Sequence, residues 1–182
     1  MAYEPAYERI LEEEFGPRRT ATRKGAFFGP DDERSVQKHH FFIAGSSQYT
    51  KKISFNFRAV WRLNHLDLDF GANHRYPRIS PPAIAARALA AAGRCPDRET
   101  KLDDPGCFPA LDPGSGNLFE LTGGVAYQPT NELRMSLNLI KQRLVRKDTG
   151  LTAFDVNILT YRGTYQFTRA TFARAIIDLQ HP

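Results

Sequence analysis

Apolar and polar residues alternate along most of the chain from Lys38 onward. Odd-numbered positions from Ile53 to Leu63 are apolar, and the even-numbered positions between them are polar except for Val60. This period of two predicts a strand with one buried face. The alternation returns near residues 119–128, 133–139, 159–167 and 173–180, and a less regular run covers residues 39–49. The pattern therefore predicts about six strand segments.

The apolar phase moves from odd to even numbers at Asn64–His65, before a further run over Leu66–Ala72. A slip of one residue moves side chains to the opposite face of a sheet. It predicts either a β-bulge within one long strand or a tight break between two strands.

A short repeat, Gln-x-Thr, begins at Gln48, Gln128 and Gln166. Each copy closes one alternating run, and another run follows shortly after it. This arrangement predicts tight hairpin turns and hence an antiparallel sheet.

The remaining connections are longer. The longest, residues 77–117, contains an alanine-rich stretch over 83–92, which Ser80 and Pro81 precede and Gly93 ends. These signals predict one short helix in a long loop. Short turns that alternate with long loops, and strands of about ten residues or more, are typical of outer-membrane β-barrels.

Two regions follow from this pattern. Residues 1–37 are predicted to form an irregular N-terminal loop region, in which only 7–15 could make a short acidic helix. Residues 38–182 are predicted to form an antiparallel β-barrel segment with the long outer loop at 77–117. The first residues show no secretory signal pattern, as expected of a cytoplasmic chain or of a piece of a longer exported protein.

Composition narrows the class of protein. The chain has 182 residues and a formal net charge of +5, and its 13 Phe, 7 Tyr and 1 Trp supply ample surface to bury. Intrinsic disorder is therefore excluded. The basic residues are scattered rather than clustered, which argues against nucleic acid as a partner. A soluble β-domain and a membrane β-barrel both remain, because barrel strands average out to polar.

Five arginines fall on the polar side of the predicted strands, opposite the apolar stripe. In a soluble sandwich they would point outward to water. In a membrane barrel the apolar face meets lipid, and the arginines line the lumen, where they attract anions or hold an acidic plug. These candidate lumen-facing residues are Arg58, Arg62, Arg134, Arg162 and Arg174.

Other chemistry is sparse. The chain has no phosphate-binding glycine loop and no hydrolase or zinc-protease motif, and no cofactor is predicted. His39 and His40 are adjacent on a predicted strand, so they point to opposite faces, and no metal site is predicted. Cys95 and Cys107 lie in the long loop, where a disulfide would suit an oxidising compartment. The acidic residues around them favour a solvated loop over a Ca²⁺ site.

Several segments carry a family resemblance. Residues 121–179 contain its most specific part, Tyr165–Arg169, and further similar segments extend it over nearly the whole chain. The segments that carry it are 14–23, 66–72, 76–81, 125–131, 143–146, 148–150, 154–157, 165–169 and 172–175. They closely resemble the C-terminal part of the DUF5916 family, which comprises large bacterial proteins with a carbohydrate-binding family 9-like domain and a C-terminal outer-membrane β-barrel.

The resemblance implies location and architecture rather than activity. It implies an incomplete barrel in the bacterial outer membrane, a fragment of a pore or scaffold that carries a carbohydrate-binding module, and not an enzyme. The implied partners are outer-membrane lipid, the missing barrel strands and, through an absent N-terminal domain, carbohydrate. Two alternatives remain open: a soluble β-barrel or sandwich that binds a ligand, and a hydrolase domain without a recognisable nucleophile.

Overall fold

The computed structural model describes residues 2–11, 33–67, 78–95, 107 and 112–181. Within them, seven strands and one helix follow each other along the chain. They are β1 (Ala2–Leu11), β2 (Glu33–Thr50), β3 (Ile53–Leu66), α1 (Pro81–Ala91), β4 (Ser115–Tyr127), β5 (Leu133–Arg146), β6 (Thr152–Gln166) and β7 (Phe172–His181).

The seven strands form one antiparallel sheet in which each strand pairs with its neighbours in sequence, in the order β1 to β7. This confirms the prediction of an all-β, antiparallel chain. The sheet is open in the described part of the chain, and β1 and β7 form its two edges.

The N-terminal prediction is wrong where the structure describes it. Residues 2–11 form β1 rather than an irregular loop with a helix, and β2 begins at Glu33, before the predicted boundary at 38. In the described part of the chain the sheet therefore has seven strands, where about six were predicted. Backbone pairing of β1 with β2, from Ala2 opposite Phe42 to Leu11 opposite Glu33, outweighs the weak local helix preference. Residues 12–32 lie outside the described part.

The phase shift at Asn64 is a β-bulge at the end of one long strand. The register of β3 against β4 shifts between Leu63 and His65, and Asn64 has a φ of 60°. Asparagine adopts this left-handed conformation more readily than most residues. The Asn64 side chain donates a hydrogen bond to the Gln37 carbonyl oxygen at 2.9 Å. Leu68–Ala72, the rest of the predicted run, lies outside the described residues.

The Gln-x-Thr repeat marks the three tight turns, and its threonines have the same role in each. The Thr50 hydroxyl accepts hydrogen bonds from the backbone N–H groups of Lys52 and Ile53, both at 3.1 Å. Thr168 accepts them in the same way from the two residues before β7, at 3.2 and 3.1 Å. Thr130 accepts one from Leu133 at 3.2 Å. The hairpin prediction is confirmed, and the threonine explains the repeat.

Helix α1 confirms the prediction for the long connection, of which 67, 78–95, 107 and 112–114 are described. Ser80 occupies the N-cap position in an extended conformation, although its side chain makes no capping hydrogen bond. Pro81 supplies the first turn, and Gly93, just past the end, has a φ of 69°. That left-handed conformation favours glycine and ends the helix.

Buried apolar side chains are few among the described residues. They lie in the middle of β3, at the loop end of the sheet and in the segment 79–86, and comprise Ala59, Val60, Leu66, Ile79, Ala83, Ala86, Leu118 and Leu144. Many larger apolar side chains are exposed instead. The apolar side chains of the sheet therefore do not form a packed hydrophobic core of the ordinary kind.

Candidate functional site

The register gives the sheet two chemically different faces. Residues paired directly across antiparallel strands share a face, so the pairings link Phe55, Val125, Leu137, Tyr161 and Ile177 into one row across five strands. We call this odd-numbered side of β3–β7, with the residues paired to it on β1 and β2, the apolar face. The even-numbered side is the basic face, and all five predicted arginines lie on it.

Large apolar side chains on the apolar face are exposed across the whole width of the sheet. Trp61 is 43% exposed, and Val125 and Leu179 are 47% and 59% exposed. The exposed members of this face are Tyr3, Ile43, Phe55, Phe57, Trp61, Leu63, Val125, Tyr127, Leu137, Leu139, Tyr165, Ile177 and Leu179. Contiguous apolar patches of such extent are uncommon on soluble monomers and mark a contact surface.

Aromatic rings and charged groups mark the limits of the apolar face. Toward the loop end, Trp61 packs against Phe119 with ring centroids 5.4 Å apart, and Tyr3 stacks on Phe41 at 4.8 Å. Tyr127 and Tyr165 lie on this face at the tight-turn end.

The apolar stripe of β5 and β6 gives way to ions farther toward the loop end. Lys141 Nζ lies 3.4 Å from Asp155 Oδ1 and donates a hydrogen bond to Asn157 Oδ1 at 3.1 Å. Arg143 Nε lies 3.8 Å from the same aspartate. These charges end the apolar surface there.

The basic face holds a hollow of about 700 Å³ near the tight turns. Arg134, Arg162 and Arg174 line it together with hydroxyl and amide side chains from the neighbouring strands. The other polar lining residues are Gln48, Lys51, Lys52, Ser54, Tyr127, Gln128, Ser136 and Thr164. This lining contains no carboxylate, imidazole or thiol, so its chemistry is that of anion binding rather than proton transfer.

The other two predicted arginines lie elsewhere on the basic face. Arg62 pairs with Glu120 at 2.8 Å, and Gln142 donates a second hydrogen bond to that carboxylate at 3.1 Å. The Arg58 guanidinium carbon lies 5.4 Å from the centroid of the Phe42 ring, a cation–π geometry. The structure thus brings three of the five arginines together and gives the other two separate partners.

A second cluster, which the pattern of alternation did not single out, surrounds Arg146 at the loop end of the basic face. The Arg146 side chain is fully buried. Its guanidinium donates hydrogen bonds to Asp148 at 3.0 and 2.6 Å, to Asp67 Oδ2 at 2.9 Å and to the Asp112 carbonyl oxygen at 2.9 Å. We call Arg146, Asp67, Asp112 and Asp148 the arginine staple.

The arginine staple joins three chain segments. Asp67 follows β3, Asp112 precedes β4, and Asp148 lies in the turn after β5. The hydrogen bond from Arg146 holds the pKa of Asp148 below its ordinary value, against the opposing effect of burial. The staple fixes the ends of the long connection to the sheet, which is a structural role.

Glycine is required beside this cluster. A Cβ atom at Gly114 would overlap the Arg146 guanidinium, and one at Gly116 would lie 2.7 Å from the Val145 carbonyl oxygen. The sequence signal for the staple is the position of acidic residues at strand ends. A meander brings the end of β3, the start of β4 and the end of β5 to the same end of the sheet. The sequence could therefore have grouped the three acidic residues there, Asp67, Asp112 and Asp148.

The remaining candidate residues are the two cysteines, the histidine pair and the acidic residues of the long loop. A disulfide joins Cys95 to Cys107, whose Cα atoms lie 5.5 Å apart, a usual separation. His39 and His40 point to opposite faces, and the Tyr3 hydroxyl lies 2.7 Å from His39 Nδ1. The acidic loop residues Asp97, Glu99, Asp103 and Asp104 lie outside the described part.

Two features are absent from the described residues. No group of three or more His, Cys, Asp or Glu side chains is arranged to hold a metal ion there. In the same residues, no helix has the length and apolar character needed to span a membrane.

Comparison of the chain with protein-family models, with curated proteins and with solved structures finds no match. The resemblance to the DUF5916 family is not tested by these comparisons and stays a prediction.

Proposed function

We propose that this chain is a segment of a bacterial outer-membrane β-barrel, whose apolar face contacts lipid and whose basic face lines the lumen. It serves as part of a pore or scaffold and not as an enzyme. In the longer protein that the DUF5916 resemblance implies, the barrel carries a carbohydrate-binding module. The observation that carries the proposal is the continuous exposed apolar face, opposite a hollow with a charged lining.

The height of the apolar face fits a membrane. From Ile53 to Leu63, β3 extends about 33 Å at roughly 3.3 Å per residue. At the strand tilt of about 40° that such barrels adopt, this length spans about 25 Å, the height of their apolar band. Trp61 toward the loop end and Tyr127 at the tight-turn end match the aromatic girdles of such barrels. The tight turns would then face the periplasm, and α1 with the disulfide would face outward.

A soluble sandwich fits the two faces less well. In a sandwich a second sheet covers the apolar face of the first, whereas the described residues form a single sheet. In a soluble barrel the apolar side chains point into the hollow. Here the hollow lies on the face that carries the arginines.

The seven strands that the structure describes are fewer than the eight or so of the smallest closed membrane barrels. Completion in a membrane therefore requires further strands beside β1 and β7. These strands are proposed to belong to the longer protein or, for this chain alone, to further copies of it.

Trp61, the single tryptophan of the chain, tests the proposal directly. We expect the chain, reconstituted in phosphatidylcholine vesicles, to show blue-shifted Trp61 emission that lipids with brominated acyl chains quench. Aqueous iodide should quench it weakly. The matched control is a chain with Trp61→Phe and Ile140→Trp, because residue 140 is 39% exposed on the basic face.

The control tryptophan should respond to iodide and not to brominated lipid. If brominated lipid fails to quench Trp61, or quenches both positions equally, the lipid-facing assignment is wrong. A chain that stays monomeric and folded without detergent would favour the soluble ligand-binding module instead.

A further inference from the structure

Three arginines without acidic partners converge on the hollow of the basic face. Arg134 and Arg162 make no ion pair or side-chain hydrogen bond with any described residue, and the Arg174 guanidinium only lies over the Phe172 ring, 5.8 Å from its centroid. Two acidic residues of this side lie near these arginines, Glu132 at the turn before β5 and Asp178 on β7, and neither lines the hollow. The three arginines therefore line one hollow without an ion-pair partner among the described residues.

The register places the three side chains within reach of one ligand. Arg134 and Arg174 both pair with Thr164, from opposite sides, so their strands lie about 10 Å apart. Arg162 is a diagonal neighbour of both, at about 7–8 Å. Arginine side chains are long enough to close these gaps, and Ser136 and Thr164 add hydroxyl groups between them.

We infer that the hollow is a binding site for a soluble, multivalent oxyanion of the phosphate type. Guanidinium groups bind such oxygens through paired, charge-assisted hydrogen bonds, whereas lysine offers only a point charge. A volume of about 700 Å³ lies within the range of small-molecule sites, so it accommodates pyrophosphate or a phosphorylated small molecule. The inference rests on the proposed function, because the anion would reach the hollow through the barrel lumen. It adds the class of solute that this lumen would bind.

Calorimetric titration of the full chain with inorganic pyrophosphate, in a neutral maltoside detergent, tests the inference. We expect saturable binding of one pyrophosphate per chain that weakens as salt is raised. Arg134→Gln, Arg162→Gln and Arg174→Gln should each lower the affinity about tenfold or more, since each removes a charge-assisted contact. Arg58→Gln is the matched control, because it removes the same charge from the same face outside the hollow.

If Arg58→Gln has the same affinity for pyrophosphate as the three hollow variants, only the general positive field of the face attracts the anion. That result would overturn the proposed binding site. A lipid headgroup carries the same phosphate chemistry, so phosphatidylglycerol in the micelles provides the second arm. If the three variants lose binding of that lipid while pyrophosphate does not bind, the soluble-anion inference is wrong.

The Trp61 quenching experiment separates this inference from the proposed function. Lipid quenching without pyrophosphate binding overturns the site alone. Pyrophosphate binding that depends on the three arginines, with Trp61 open to iodide and not to lipid, overturns the membrane proposal and leaves the site intact.

Discussion

At the scale of single residues, the arginine staple shows how one buried charge can organise a loop end. Arg146 is fully buried, and the Asp67 side chain is only 8% exposed. A buried ion pair gains little over well-packed apolar groups, but removal of one partner leaves the other charge buried without compensation. Stability at this end of the sheet therefore depends on keeping both partners.

Replacement of Arg146 should be costly. We expect Arg146→Met to destabilise the chain by about 3–5 kcal/mol, because the buried Asp67 carboxylate would lose its ion pair with the guanidinium group 2.9 Å away. Arg143→Gln, three residues earlier, removes a side chain that is 51% exposed and should cost about 1 kcal/mol or less. Urea titration in detergent measures both, and trypsin cleavage between residues 67 and 114 reports local release of the connection. Equal effects of the two changes would contradict a structural role for the staple.

The staple also predicts how stability depends on pH. The pKa of Asp148 is lowered in the folded chain by its hydrogen bond with Arg146. Its stabilising contribution is therefore complete above the ordinary aspartate pKa, near 3.8, and is lost as pH falls through the lower folded value. We expect Asp148→Asn to flatten the fall in the urea midpoint below about pH 4. The effect is small, because the side chain is 36% exposed.

The matched test for this pH effect uses the Arg146→Met background. Because Arg146 is the largest cause of the lowered pKa of Asp148, ahead of two backbone hydrogen bonds, Asp148→Asn should change the acid profile of that variant much less than that of the parent chain. An equal change in both backgrounds would assign the pH dependence to another group.

At the scale of elements, the three tight hairpins of the sheet share one stabilising contact in their turns. In all three tight turns a threonine hydroxyl accepts a hydrogen bond from a backbone N–H group, which belongs to the first residue of the next strand in two turns and to the residue just before it in the third. Hydroxyl-to-backbone bonds of this kind fix a turn by satisfying donors that the strand ladder leaves open. Successive strands are thus paired by local contacts.

The turn at Thr168 offers the clearest test of this contact. Thr168→Ala should destabilise the β6–β7 hairpin by about 1 kcal/mol, because two backbone N–H groups lose their acceptor. Thr168→Ser keeps the hydroxyl and should restore most of that loss. Thr171→Ala, in the same turn, is the control. Amide hydrogen exchange at Ala170 and Thr171 measures the change, and equal protection in Thr168→Ala and the parent chain would contradict the role.

At the scale of the whole molecule, the sheet has two open edges and an exposed apolar face. The described side chains of β7 are exposed along the whole strand. Unpaired backbone groups at an edge in lipid cost several kcal/mol each, and open edges in water promote strand addition between chains. Both environments therefore favour association of this chain with other strands.

We expect the purified chain to be recovered as aggregates or as detergent-bound oligomers. Size-exclusion chromatography with light scattering, in maltoside detergent, should give a protein mass of at least two chains. With further strands supplied beside β1 and β7, a heat-resistant barrel with anomalous gel mobility is expected. A cooperatively folded monomer in detergent-free buffer would contradict both the open-edge argument and the membrane proposal.

The sequence by itself determined the strands from Lys38 onward, the three hairpins, the helix, the shift of phase at Asn64 and the two faces, because each depends on local periodicity or on one turn residue. The pairing of β3 with β4 decided that this shift is a bulge and not a break between strands. The pairing of β1 with β2 could not be read from residues 1–37, since a strand whose side chains do not alternate is defined by its partner's backbone. Only the tertiary structure decided which arginines share a site. Cross-strand register brings three of them around one hollow, Arg134, Arg162 and Arg174, and places Arg62 in an ion pair with Glu120. It also buries Arg146 among the aspartates that lie 79, 34 and 2 positions away in the chain. The reason is that a meander brings alternate strand ends together at one end of the sheet.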